Sequence, residues 1–267
     1  ICRQARRATI ILAGRSRLDE DRQAAVATLQ GQGASIEYRV LDVSDQAAVD
    51  ACVADIVDRC GRLDGVVHAA GIVRDSFILK KDPDDFRAVL APKVSGTVNL
   101  DLATQHLDLD FFILFSSLAG AVGNIGQADY ASANAFLDRF ALFRNALVER
   151  GERRGATLSI NWPLWSDGGM GLPAGLIEQL RARGVRELTR EQGIAALYAA
   201  WRSGEAQVVV AAGDPAYFAG EAVESPTPEP SRPEPVVEAG DRNALQRRIE
   251  RALIEATSLQ PKVRVEE

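Results

Sequence analysis

The chain has 267 residues, enough for one large domain or a domain with an appendage. Hydrophobic residues make up 46% and charged residues 25%, an ordinary globular composition. A formal charge of -6 leaves no surplus of cations to neutralise phosphates, which excludes a nucleic-acid partner. No apolar run approaches the roughly 20 residues needed to span a bilayer, and the basic stretch Ile1 to Arg7 has no apolar core of the signal-peptide kind behind it. Cys2, Cys52 and Cys60 have no metal-type spacing. Cys52 and Cys60 fall in one helical segment and read as small buried side chains, so a reducing, cytoplasmic setting is expected.

Apolar runs of strand length alternate along the chain with amphipathic segments of helix length. Strands are expected at Thr9–Ala13, Ser35–Val40, Gly65–His68, Asp110–Phe115, Thr157–Asn161 and Gln207–Val210. Helices are expected at about Asp19–Gln32, Asp45–Arg59, Asp82–Thr104, Gln127–Glu149 and Thr189–Ser203. Ser44 or Asp45 before the second helix, and Thr189 before the last, can accept the free N–H groups of a first turn. Strands apolar on both faces and separated by helices imply a parallel sheet covered on both sides. That is a doubly wound α/β fold of the Rossmann-like kind, whose ligands sit beyond the carboxyl ends of the strands.

Residues 1–218 read as this one domain. Residues 219–240 then hold five prolines among glutamates with almost no bulky apolar residue, which is linker composition. Residues 241–267 carry Leu245, Ile249, Leu253 and Ala256 at spacings of three or four, a single helix with one apolar face, read as the start of a further domain.

The segment from Lys93 to Asn134 holds the candidate chemistry. The fourth strand runs into Ser116 and Ser117, at the edge where doubly wound sheets bind ligands. Tyr130 follows thirteen residues after Ser117, near the start of a long helix, with Asn134 one turn further on the same face. Reduction of a ketone needs a hydride donor, a proton donor at the carbonyl oxygen, and a group to hold that oxygen. A phenol can supply the proton, although its ordinary pKa is about 10. A nearby ammonium favours the phenolate that remains, and Lys93 is the candidate. Ser117 would bond the substrate carbonyl, and Asn134 would order water and the lysine. Taken singly, each has a plainer role: a packed tyrosine, a solvated lysine, a serine at a turn.

The runs His68-Ala-Ala-Gly71, Ala91-Pro-Lys93-Val-Ser-Gly96, Phe115-Ser-Ser-Leu-Ala-Gly120, Gln127-Ala-Asp-Tyr130-Ala-Ser-Ala-Asn134-Ala-Phe-Leu-Asp138 and Asn161-Trp-Pro-Leu-Trp165 together resemble the ketoreductase domains of modular polyketide synthases, a branch of the short-chain dehydrogenase/reductases. The resemblance spans about Ala8 to Pro215. Stand-alone members of that superfamily carry a lysine four residues after the tyrosine. Here Asn134 holds that place and the lysine matches upstream at Lys93, an exchange that marks the synthase-borne enzymes. The resemblance implies that Ser117, Tyr130, Lys93 and Asn134 are catalytic. It also implies NADPH as cofactor, and as partners an acyl carrier protein bearing a β-ketoacyl chain and neighbouring synthase domains.

After the first strand the chain reads Gly14-Arg15-Ser16. Arg15 and Ser16 suit the extra 2′-phosphate of NADPH better than an acidic residue would. Asp42 and Val43 match the family position beside the adenine, and Ala69, Ala70 and Gly71 leave backbone open to the cofactor. His68 reads as a packing residue. Asp75 matches the final Asp of a marker for the B-type course, which gives a D-configured hydroxyl. Val73-Arg74 departs from the usual Leu-Asp of that marker, and Val122 stands where the A-type marker has tryptophan. A lid over the substrate is expected from Gly168 to Arg183.

The Gly-rich turn of the family would lie roughly 20 residues before Arg15, ahead of Ile1. The fold is therefore expected to lack its first strand and that turn, and the chain alone to bind NADPH poorly. Arg242 to Glu267 resembles the first helix of an acyl carrier protein. Its phosphopantetheine attachment site is expected after Glu267, so Ser258 is not that site. Two alternatives stand: a free-standing short-chain reductase of small ketones, and a non-catalytic structural domain of a synthase.

Overall fold

The computed structural model describes residues 8–31, 35–167, 174–182 and 184–214. The linker, the carrier-like helix, the stretch Ile1 to Arg7 and Cys2 lie outside the described residues. So do residues 168–173 and 183 of the expected lid.

Six strands are present among the described residues: β1 (Thr9–Gly14), β2 (Ser35–Val40), β3 (Gly65–His68), β4 (Phe111–Ser117), β5 (Ala156–Trp162) and β6 (Gln207–Val209). The helices are α1 (Glu20–Gly31), α2 (Gln46–Cys60), α3 (Pro83–Thr104), α4 (Leu118–Val122), α5 (Ala128–Glu149), α6 (Ala174–Ala182) and α7 (Arg190–Ser203). All strand pairs are parallel. They form a β1–β2 ladder and a separate β3–β4–β5–β6 ladder, so among the described residues no hydrogen bond joins β1 to β3.

β4 explains how both faces of the larger ladder are covered. Its side chains alternate, and both faces are apolar. Phe112 and Leu114 join Phe136, Leu137, Phe140 and Ala141 of α5 in one cluster. Ile113 joins Leu158, Ile160, Trp162 and Ala200 of α7 in another. β5 behaves differently. Its odd positions Thr157, Ser159 and Asn161 are polar and fully or almost fully buried. They meet Arg144 at 3.0 Å, Asp138 at 2.6 Å and Asp138 at 2.8 Å respectively, all on α5. A polar seam thus fixes α5 along β5, where an apolar contact would leave its sliding position loosely set.

Arg144 anchors the lower end of that seam. It is fully buried, bonds the Asp101 carboxylate of α3 at 2.8 Å, and donates to the carbonyls of Gly155 and Arg154 at 2.8 and 2.9 Å. Its guanidinium lies 4.6 Å from the Phe112 ring centroid. Arg153 closes on Asp101 from the other side at 3.0 Å. α3 and α5, which carry Lys93 and Tyr130, are clamped together by this triad.

The helix starts follow from capping chemistry. Asp45 accepts from the Ala48 N–H, Asp82 accepts from the Asp84 N–H ahead of Pro83 in the first turn, and Thr189 and Gln192 form a capping box. Two expectations are corrected. β4 runs on through Ser117 and leads into α4, a five-residue helix too short for any periodicity to show. The cysteines of α2 are not buried, since Cys52 is half-covered and Cys60 exposed. The buried face of that helix belongs to Val49, Val53 and Ile56.

Arg144→Leu is expected to destabilise the domain by about 3–5 kcal/mol, because it strips a partner from a buried carboxylate. The double change Arg144→Leu with Asp101→Leu should recover part of that loss, measured by urea denaturation.

Candidate active site

β4 delivers Ser117 to the carboxyl edge of the sheet, where it caps α4 by accepting from the Ala119 N–H at 3.2 Å. α4 then crosses α5 at Gly120. A Cβ at that glycine would come within 2.8 Å of the Asn134 Cβ and 2.9 Å of the Ala135 backbone nitrogen, so only glycine permits this approach. The Ser116 hydroxyl donates to the Asn134 carbonyl at 3.1 Å and completes the junction.

The junction sets Ser117 and Asn134 beside the Tyr130 phenol. Tyr130 is buried among Val89 of α3, Ala119 of α4 and Ala133. Burial pushes the phenol above its ordinary pKa. Ser117 and Asn134 pull it back by hydrogen bonding, and the Asp75 charge adds to the rise. The sequence suggested an ammonium that lowers this phenol. The structure gives burial as the largest influence, because apolar side chains enclose the ring. A phenol held in its neutral form is still a proton carrier at physiological pH.

Lys93 is 4% exposed, and its Nζ donates to the Phe115 carbonyl at 2.8 Å. Burial lowers its pKa to about 8, and the Asp138 charge works against that fall. Lys93 therefore attaches to β4 two residues before Ser117, and Tyr130 attaches at Ser117 itself. Asn134 donates through Nδ2 to the Tyr130 carbonyl at 2.7 Å. Its Oδ1 is buried with no protein partner among the described residues, the state of an acceptor that a water or a substrate proton would satisfy.

The four expected catalytic positions are thus brought to one strand end. Sequence reading assigned no role to Asp138 or Asn161, which lie beneath them. The Asn161 amide donates to Ser116 Oγ at 3.0 Å, to the Ser117 carbonyl at 2.9 Å and to Asp138 at 2.8 Å. Burial raises the Asp138 pKa. Hydrogen bonds from Ser159, Asn161 and Ser116 oppose the rise, as does Lys93. The one signal available was spacing, since Asp138 follows Asn134 by a single turn.

The expected cofactor residues fall into two groups, Arg15, Ser16 and Asp42 at the ends of β1 and β2, and Val43, Ala70 and Gly71 beside α3. Val43 packs against Gly96 of α3, where a Cβ would fall 2.7 Å from its Cγ2, and the Val43 carbonyl accepts from Asn99 at 2.9 Å. Ala70 is partly covered and Gly71 exposed. A Cβ at Gly71 would sit 3.0 Å from the Lys93 Cε, so that position must stay small beside the lysine. Arg15 and Ser16 are exposed, and Tyr38 passes under Gly14 to donate to the Ser16 carbonyl at 2.5 Å. Asp42 is held below the usual carboxylate range by Ser44, and Arg15 adds to the effect. An exposed cation and hydroxyl, with small residues leading to the lysine, fit a nicotinamide dinucleotide. His68 is buried and donates through Nε2 to the Pro92 carbonyl at 3.0 Å. Burial lowers its pKa to about 4, so it stays neutral and structural, as expected. Asp75 is exposed and accepts from Gln127 at 3.0 and 3.1 Å.

Comparison with known proteins shows which family the chain is built like. The KR domain family model matches residues 1–167. The chain belongs to this family. The KR domain is 48% identical over 215 residues to polyketide synthase PksN of Bacillus subtilis, covering 80% of this chain and 4% of that protein. It is 46% identical over 220 residues to polyketide synthase ThaG of Burkholderia thailandensis, covering 82% of this chain and 4% of that protein. The chain thus spans a small part of the curated relatives it matches. Among solved structures, a ketoreductase domain from the bacillaene assembly line is similar at a TM-score of 0.81 and 41% identity, over 83% of this chain and 54% of that one. Among the described residues no helix is long and apolar enough to cross a membrane.

The buried ammonium yields a stability test. With a folded pKa of about 8 against 10.5, holding Lys93 charged at pH 7 costs up to roughly 3 kcal/mol. Its pKa is depressed on folding, so this cost is full below about pH 8 and fades as pH rises toward 10.5. Lys93→Met is expected to be more stable than the parent by about 1–3 kcal/mol at pH 7. The gap should shrink by pH 10 in thermal melts.

Proposed function

We propose that this KR domain reduces the β-carbonyl of a β-ketoacyl thioester, tethered to an acyl carrier protein, to the β-hydroxyacyl thioester. The observation that carries the reading is the meeting of Tyr130, Ser117 and Asn134 at the end of β4, with the Lys93 amine bonded to the same strand. NADPH, when bound, would supply the hydride. As the new C–H bond forms, the carbonyl π pair moves to oxygen, and that oxygen takes the Tyr130 proton. Ser117 holds the oxygen by hydrogen bonding. The charged form of Lys93 favours the phenolate left behind, and the free Oδ1 of Asn134 orders the water that returns a proton to it. Arg15 and Ser16 would hold the 2′-phosphate, Asp42 and Val43 would line the adenine side, and Ala70 and Gly71 would leave backbone open to the dinucleotide. Among the described residues β1 and β3 each have an edge without a ladder partner, where a further parallel strand would join the two ladders, and a Gly-rich turn after it would take the pyrophosphate. Neighbouring synthase domains supply the carrier protein.

The residues of a free-standing reductase would place a lysine where Asn134 stands, and a structural domain would lack Tyr130 and Lys93. Asp75, paired with Gln127 at the mouth of the site, supports the B-type course and a D-configured hydroxyl.

In the full-length gene product, Tyr130→Phe is expected to lower NADPH consumption with a β-ketoacyl thioester at least a thousandfold, roughly the loss of an essential acid. Chiral separation of the parent's product should give the D isomer. Unchanged turnover in the first experiment, or an L product in the second, would overturn the respective claim.

Arg15→Ala is expected to raise KM for NADPH by roughly 10–100-fold, the worth of one charge-assisted hydrogen bond. KM for NADH, which lacks the 2′-phosphate, should change little. Initial-rate kinetics with both cofactors measure this.

A further inference from the structure

Residues 74–81 leave β3 and run along the mouth of the site before α3 begins. The exposed apolar turn Phe77–Leu79 would by itself hold this segment loosely. Three contacts fasten it to the start of α5, and a fourth ties the segment to itself. The Ser76 N–H donates to the Gly126 carbonyl at 2.9 Å, and Gln127 donates to both Asp75 oxygens. The Lys81 ammonium donates to the Arg74 carbonyl and, at 2.9 Å, to Asp129.

The last of these is unlike an ordinary surface ion pair. The side chains of Lys81 and Asp129 are 3% and 0% exposed. Asp129 also accepts, through its other oxygen, the backbone N–H of Tyr130 at 2.9 Å. One carboxylate therefore grips the residue that carries the phenol, while its partner cation grips the residue before Asp75. A buried pair of this kind contributes little net stability against apolar replacements, and its value is in fixing one geometry.

We infer that the Lys81–Asp129 pair is a positioning device for facial selectivity. It sets the separation between the 74–76 segment and the Tyr130 phenol, and so decides which face of the β-carbonyl is presented. The inference rests on the proposed reduction. Lys81 and Asp129 act through Asp75 and Tyr130 and are positioning residues, not catalytic ones. With the pair gone, the segment retains its Gln127 and Gly126 contacts, so the site still forms but admits the substrate in two orientations.

The test uses the full-length gene product and product configuration as readout. Lys81→Met with Asp129→Asn removes both charges and leaves no lone buried ion. It is expected to keep kcat within about tenfold of the parent while the minor hydroxyl isomer rises at least tenfold. Lys81→Arg, which preserves the charge, should restore most of the parent's product ratio. A double variant that gives the parent's isomer ratio would overturn the inference, whether or not its rate falls, because a merely structural pair changes the amount of active enzyme and not its stereochemistry. If the double variant does not fold, Asp129→Glu decides, since it keeps the charge but moves it by one methylene away from the Tyr130 N–H. An unchanged ratio in that variant overturns the inference, and a shifted ratio supports it. Failure of the underlying reduction is seen separately, as undiminished NADPH consumption in Tyr130→Phe.

Discussion

Everything at the site depends on how α5 lies across the ends of β4 and β5, and a buried amide sets that position. The Asn161 amide shares its two N–H groups among Ser116, the Ser117 carbonyl and Asp138. Asp138 is thereby fixed to β5, and Ser116 and Ser117 are fixed to both. Apolar side chains would hold α5 against the sheet as firmly, but hydrophobic contact is non-directional and tolerates sliding. A hydrogen-bonded seam has one register. The helix bearing Tyr130 and Asn134 is thus indexed to the strand bearing Ser117.

The same seam shapes the electrostatics. Lys93 and Asp138 are both buried, and burial moves each toward its neutral form: the lysine downward, the carboxylic acid upward. Each opposes the other's shift, because opposite charges favour ionisation. The lysine settles at about 8, where a proton can be held or released near physiological pH. Tyr130 is pushed the other way by its apolar enclosure. The site therefore holds a reluctant phenol near a reluctant ammonium. Neither condition would arise for the same residues in water.

Much of the fold is legible in the chain because strands covered on both faces must be continuously apolar, and helices covered on one face must be periodic. β2 and β3 begin and end where the pattern places them. α4 is not legible: five residues are too few to show a period, and the helix exists because Ser117 caps it and Gly120 lets α5 come close. Cys60 shows the opposite failure. Its residue type and its spacing from Val49, Val53 and Ile56 suggest burial, but it is the last residue of α2 and is exposed there.

For the site, the residue types and their spacing determined which groups could do chemistry: a phenol, a serine, an asparagine and a lysine, in segments headed for one edge of a parallel sheet. Sequence alone also marked Arg15, Ser16 and Gly71 as suited to a phosphorylated cofactor, since charge and size are properties of single residues. What only the tertiary structure decided is who touches whom. Lys93 bonds a strand carbonyl, Asn134 keeps one oxygen free, Asp138 lies under the lysine, and Lys81 reaches Asp129 across 48 positions of chain. Desolvation and long-range pairing depend on what the fold brings near each group, and no local pattern in the sequence carries that information.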